Sequence, residues 1–192
     1  MDLLKLHLLF ETLPMPSRDI HSRDGGKKVR DLLTSFFGIL LLGGTSQRTI
    51  YLISPWLSDF KLLDNAFGQF KDLFIYQTSF AENPYILFTE TLIEVSNRLP
   101  IRIITWPDEK SKVFVSNFDK ENNIQVKFED AQKDHQKGLL TDLFYFEGSM
   151  NFTYSGIYRN REKITCNAAF DSEGKRKITE AYLEFERIWE NL

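Results

Sequence analysis

The stretch HQKGLLTDLFYFEGSMNFTYSGIYRNRE, residues 135–162, constrains this chain more than any other. It opens with His135 and Lys137 one residue apart and continues to Asp142. It then turns at Gly148-Ser149-Met150-Asn151 and closes on Asn160 and Glu162. Side chains repeat with a period of two along a strand, so the spacing predicts a strand over His135–Thr141 with His135, Lys137 and Leu139 on one face. An imidazole and an ammonium one strand step apart can converge on a single anion. Ser149 and Asn151 repeat that spacing on the next segment and offer neutral donors. An isolated H-x-K is better explained by a packed histidine beside a snorkelling lysine. Beside the Gly148-Ser149 turn, the same pair suggests a phosphate site. Histidine can act there as nucleophile or general acid near neutral pH. Lysine, serine and asparagine donors can neutralise charge on a transferring phosphoryl group without a metal.

This constellation resembles the phospholipase D superfamily, whose signature is H-x-K-x4-D-x6-G-S/T-x-N followed by N-x-E. The match covers His135, Lys137, Asp142, Gly148, Ser149, Asn151, Asn160 and Glu162, with five residues rather than six between Asp142 and Gly148. The resemblance implies a reaction centre of His135, Lys137 and Asn151, with Ser149 as a supporting donor. Glu162 would accept a hydrogen bond from an imidazole and orient it, and Asp142 would anchor the turn after the strand. In that superfamily two motifs meet across a two-fold axis: one histidine forms a phosphohistidine and the other protonates the leaving oxygen. This sequence has one copy, because Leu9 and Arg23 stand two residues after His7 and His21. The resemblance therefore implies a C2 homodimer that brings identical motifs face to face.

Composition sets the bounds around this motif. A chain of 192 residues fits one domain over 1–192, with 1–25 partly irregular. The 17 phenylalanines predict an aromatic-rich core. A net charge of −3 makes no global case for a polyanion, so any nucleic acid must be drawn by a local basic patch. One cysteine, Cys166 in the apolar run ITCNAAF, rules out an intramolecular disulfide and a cysteine-based zinc site. No metal or other cofactor is expected. The N-terminus lacks the pattern of a secretory signal. The most apolar stretch, 35–42, falls far short of the roughly 20 residues that span a bilayer. A cytoplasmic protein without stable membrane association is expected.

Along the chain, residues 2–12 form an apolar element of undetermined type, and 18–26 read as an irregular polar loop carrying His21. Helical spacing runs from Lys27 to about Leu42 and stops at Gly43-Gly44. Residues 48–54 suit a buried strand. Trp56 follows in the loop Pro55-Trp56-Leu57-Ser58, where it can stack on a substrate or simply pack. A short helix and an excursion are expected over 59–83, then a helix over about 86–99 ended by Pro100. Further expectations are strands over 101–105 and 123–128 around a helix at 108–119, strands at 143–146 and 164–170, and a long amphipathic helix over 175–192. This order argues for an α/β fold. The resemblance narrows it to a phospholipase D-like α/β sandwich with a mixed, mostly parallel sheet flanked by helices.

The function expected first is a metal-independent phosphodiesterase, a nuclease acting on DNA, with Arg159, Arg161 and Lys163 placed to contact backbone phosphates. The stretches KGLLTD and GSMNFT are similar to the phospholipase-D-like proteins of bacterial deazaguanine DNA-modification clusters, which implies a defence role and partners among the other components of such a system. Two alternatives stand beside it. One is a phospholipase or phosphatidyltransferase, which usually needs two motifs in a chain and a membrane-attached segment. The other is a non-catalytic DNA-binding module, favoured by the shortened spacing before Gly148.

Overall fold

Residues 50–53, IYLI, are buried on both sides, and their side chains divide by alternation: Ile50 and Leu52 enter one apolar cluster, Tyr51 and Ile53 another. A strand that feeds two cores must lie inside a sheet covered on both faces. In a computed structural model, which describes residues 18–21, 27–43, 48–121, 123–130 and 135–192, this strand is β2 of a seven-stranded sheet. The strands are β1 (Arg18–His21), β2 (Ile50–Ile53), β5 (Ile101–Thr105), β6 (Ile124–Phe128), β7 (Gly138–Leu140), β8 (Phe144–Gly148) and β9 (Lys163–Ala168). They lie in the order β1-β9-β8-β7-β2-β5-β6. A separate hairpin pairs β3 (Lys61–Asp64) with β4 (Tyr85–Leu87).

One face of the sheet carries α1 (Lys27–Leu41), α2 (Phe88–Ser96), α3 (Glu109–Val115) and the hairpin. The short α4 (Tyr154–Tyr158) adds Ile157 to the same side. The other face is covered by α5 (Ser172–Asn191), whose Ile178, Ala181, Tyr182, Phe185 and Trp189 recur at helical spacing and pack on Tyr51, Ile104, Leu140 and Tyr145. The larger core is as aromatic as the composition predicts. Phe60 stacks on Phe88 with centroids 4.8 Å apart, and Phe36 meets Phe37 and Phe146 edge-on at 5.0 Å. Each such ring, fully buried, contributes about 1.5–3 kcal/mol through apolar burial.

The sheet is mixed, but parallel pairing is narrower than expected. Among the described residues, β2–β5 and β5–β6 are parallel, while β1–β9, β8–β9, β7–β8 and β2–β7 are antiparallel. Chain length between strands explains this. A parallel neighbour needs a crossover, which α2 and α3 supply. Thr141–Leu143 are too few to make one, so β8 must run back along β7.

Other boundaries also move. The strand expected over 135–141 narrows to β7, with 135–137 as its lead-in. The stretch 18–26, read as irregular, contains β1, which pairs with β9 and makes His21 the partner of Lys163. Residues 59–83 hold β3 and two 3-10 turns, Lys71–Leu73 and Thr78–Glu82, in place of a short helix. Polar hubs shape that excursion. The buried Glu94 carboxylate accepts from the backbone N–H groups of Ile75, Tyr76 and Gln77 at 2.8–3.1 Å. Asn65 donates to the carbonyls of Ala81 and Asn83. The expected element at 2–12 lies outside the described residues.

Candidate active site

Register decides which residues meet. Gly138 is opposite Ile53 on one side and Glu147 on the other, and Gly148 is opposite Ile164. The lead-in to β7, the end of β8, the start of β9 and the carboxyl ends of β2 and β5 therefore share one edge of the sheet. Five segments distant in sequence converge there: Ser54–Trp56, Trp106, His135–Lys137, Gly148–Asn151 and Asn160–Lys163. The carboxyl ends of parallel strands are where open α/β sheets place ligands.

The turn leaving β8 is built for close contact. Gly148 has φ +148°, and a Cβ there would lie 2.1 Å from the carbonyl oxygen of Lys163. Only glycine fits between the two strands at that point. Ser149 then exchanges backbone and side-chain bonds with β9. Its N–H donates to the Lys163 carbonyl at 3.0 Å, and the Lys163 N–H donates to its Oγ at 3.1 Å. The Ser149 hydroxyl donates to Glu162 Oε2 at 2.5 Å, while Asn160 Nδ2 donates to Glu162 Oε1 at 3.1 Å. The G-S and N-x-E elements thus form one bonded unit.

Asn151 is half-buried, and its position depends on a residue that the motif spacing does not single out. Ser54, fully buried at the end of β2, receives the N–H of Phe152 at 3.2 Å and contacts Asn151 Oδ1 at 3.4 Å. Its hydroxyl also reaches the carbonyl of Trp56 at 2.8 Å. Ser54 ties the β2 loop to the Asn151 turn. Its one signal in the sequence was a polar residue at the core-facing step of an apolar strand. From the other side, Gly156 lets α4 approach, since a Cβ there would sit 2.2 Å from the Asn151 carbonyl.

His135 is exposed, and its ring meets Trp106 edge-on at 4.7 Å; Trp106 in turn meets Trp56 at 4.9 Å. Trp56 is 40% exposed, so it is available to a ligand. Lys137 Nζ donates to the His135 carbonyl, and Lys137 lines a small cleft with Leu33, Gly148, Met150 and Phe152. Lys137 and Leu139 therefore share a face as the alternation predicts, while the His135 ring reaches across to β5's end.

The remaining candidates are placed differently. Asp142 sits between β7 and β8, at the opposite end of β7 from His135 and Lys137. Arg159 and Arg161 are exposed, with the Arg159 guanidinium 5.3 Å from the Tyr154 ring centroid. Lys163 is held by Asp19 of β1 at 2.8 Å. That ammonium, followed by the Thr165 hydroxyl, lowers the Asp19 carboxyl below its ordinary pKa. Among the described residues, no three His, Cys, Asp or Glu side chains stand together as metal ligands. Among them too, no helix is long and apolar enough to cross a membrane.

Solved structures share this architecture. A phospholipase D family member, Nuc from Salmonella typhimurium, superposes with a TM-score of 0.58 at 14% identity, over 91% of this chain and 93% of that one. The fold is that of the phospholipase D family. NucT from Helicobacter pylori matches with a TM-score of 0.54 at 15% identity, over 90% of this chain and 97% of its own. TrmBL2, an archaeal chromatin protein described with a novel mode of DNA binding, gives 0.51 at 14% identity, over 98% of this chain and 58% of its own. No protein-family model and no curated protein matches the sequence. In phospholipase D-fold terms, His135, Lys137, Ser149, Asn151, Asn160 and Glu162 all occupy the sheet edge just described, and Asp142 does not.

Proposed function

We propose that this chain is a metal-independent phosphodiesterase that hydrolyses nucleic acid, DNA by preference, through a phosphohistidine formed between two copies of itself. The observation that carries this reading is the convergence of His135, Lys137, Asn151 and the Ser149–Glu162 unit on one edge of a phospholipase D fold. In the reaction, an imidazole nitrogen of His135 attacks phosphorus and a P–N bond forms. The bond to the leaving oxygen breaks, and that oxygen takes a proton from the partner's His135. Water then gives a proton to the same imidazole and attacks phosphorus, and the P–N bond breaks to regenerate His135. Lys137 from each copy neutralises the non-bridging oxygens. Asn151, with its carbonyl oxygen held towards Ser54, offers its amide N–H groups to them. Trp56, Arg159 and Arg161 lie along the approach of a nucleic-acid strand, and a DNA-modification and defence system is the setting proposed for the activity.

The deciding experiment incubates the protein with a chromogenic phosphodiester and excess chelator, quenches in alkali and locates the covalent phosphoryl adduct by mass spectrometry. An adduct on His135, with sedimentation showing a dimer, is expected. Turnover by a monomer, or an adduct elsewhere, overturns the scheme. The five-residue spacing before Gly148 and the likeness to a DNA-binding chromatin protein support a second reading, a module that binds DNA without cleaving it. DNA affinity without turnover or adduct would select that reading.

A further inference from the structure

Away from the motif, on the face carrying α1 and the hairpin, lies an open groove of about 570 Å³. Three tyrosines line it: Tyr85 at the start of β4, and Tyr154 and Tyr158 on α4. Tyr85 and Tyr154 are 39% and 46% exposed, so part of each ring is open to a ligand. Cations stand over these rings. Lys61 Nζ is 3.7 Å from the Tyr85 centroid, and the Arg30 guanidinium is 6.0 Å from that of Tyr158. Tyr154 and Tyr158 are themselves 4.9 Å apart at an interplanar angle of 33°.

Two bonds tie α4 to the segments that wall the groove. Tyr158 donates its hydroxyl to the Lys61 carbonyl at 2.5 Å, pinning α4 to the hairpin. The Tyr154 N–H donates to Ser58 Oγ at 3.0 Å, in the loop that begins at Ser54. The two carboxylates in the wall are already engaged with backbone donors. Asp59 accepts from Phe60 and Thr89, and Asp64 accepts from Ala66. Exposed rings flanked by Arg30 and Lys61 suit a ligand with flat faces and anionic links, provided those links run on the side of the cations, clear of Asp59 and Asp64.

We propose that this groove binds the unpaired bases of a single nucleic-acid strand, which enters along α4 while its backbone runs towards the motif. Bases stack on Tyr85 and Tyr154, and Arg30 and Lys61 face the phosphates between them. Stacking on aromatic rings accepts every base, so the groove selects single strands without selecting sequence. α4 begins three residues after Asn151, which couples the groove to the motif turn. The inference rests on the nucleic-acid reading above and deepens it.

The test measures fluorescence anisotropy of a labelled single-stranded oligonucleotide, beside turnover of a small chromogenic diester, in wild type, Tyr85→Ala/Tyr154→Ala and Tyr85→Phe/Tyr154→Phe. The alanine variant should lose affinity by roughly tenfold to a hundredfold, while the phenylalanine variant keeps it and diester turnover holds in both. Unchanged affinity in the alanine variant overturns the groove. So does an equal loss in the phenylalanine variant, or wild-type binding to anionic lipid vesicles without any to the oligonucleotide. If the diester is never turned over, the catalytic reading fails, and the anisotropy still decides the groove.

Discussion

Ser149 and Glu162 sit in a closed web of bonds between two paired strands, whereas His135 precedes its strand and rests against the edge of Trp106. The two are neighbours in function and unlike in support. The web is held by backbone pairing on both sides, so its geometry is made with the sheet. Among the described residues, His135 has one aromatic contact, with Trp106, and its own carbonyl receives Lys137. An attacking imidazole has to remain exposed to meet phosphorus, and exposure removes the packing that would fix it. The difference teaches that the donors of this site are preorganised by folding, while the nucleophile is positioned by a neighbour that can be changed separately.

Five substitutions probe that contrast, in decreasing order of expected effect. His135→Ala should lower diester turnover by about a thousandfold, roughly 4 kcal/mol of barrier, because a nucleophile is lost. Its urea midpoint should match wild type, since little packing goes with it; a shifted midpoint would mean that His135 is structural. Gly148→Ala should do the reverse and destabilise by about 3 kcal/mol, because the new Cβ meets the Lys163 carbonyl in a conformation L-residues avoid. Urea unfolding measures it, and a wild-type midpoint would show that the turn can relax.

Trp106→Leu should reduce turnover about tenfold, some 1.4 kcal/mol, with Trp106→Phe restoring part of it. The indole edge contact orients the imidazole at the surface. An unmoved rate would remove Trp106 from the support of His135. Ser149→Ala should cost about 1 kcal/mol of stability by opening the bond to Glu162. A double-mutant cycle with Glu162→Gln would then show coupling, and additive losses would break the web apart.

The smallest effect lies at the rim, where Asp19 holds Lys163. The folded carboxyl titrates below its ordinary value of 3.8, so its contribution is present above that value and disappears as pH falls through the lower folded pKa. Asp19→Asn should therefore open a small stability gap from wild type at neutral pH that closes in acid. A gap that persists in acid would mean that Asp19 acts by packing, not by charge.

Much of the fold was legible because its signals are local. Val29, Leu33, Phe36, Phe37 and Leu40 recur at helical spacing and are buried along α1, and the pattern from Ile178 to Trp189 did the same for α5. What was misread depended on distant partners. Residues 18–21 hold one apolar side chain, Ile20, too few to show a strand pattern; β9 makes them a strand by supplying backbone partners. The hairpin at 61–64 and 85–87 was hidden because its two strands are separated by an excursion organised around Asn65 and Glu94. In the site, His135, Lys137, Ser149, Asn151 and Glu162 were visible as spacing. Ser54 and Trp106 were not, because each touches the motif only through the folded sheet.

Residue order alone settled which chemical groups this chain possesses and which helix faces are buried, since a period of 3.6 is a property of the local backbone. Their meeting belongs to strand register and crossover. β2, β5, β7, β8 and β9 bring segments nearly a hundred residues apart to a common edge, and backbone hydrogen bonds between strands, which no short window encodes, set that alignment.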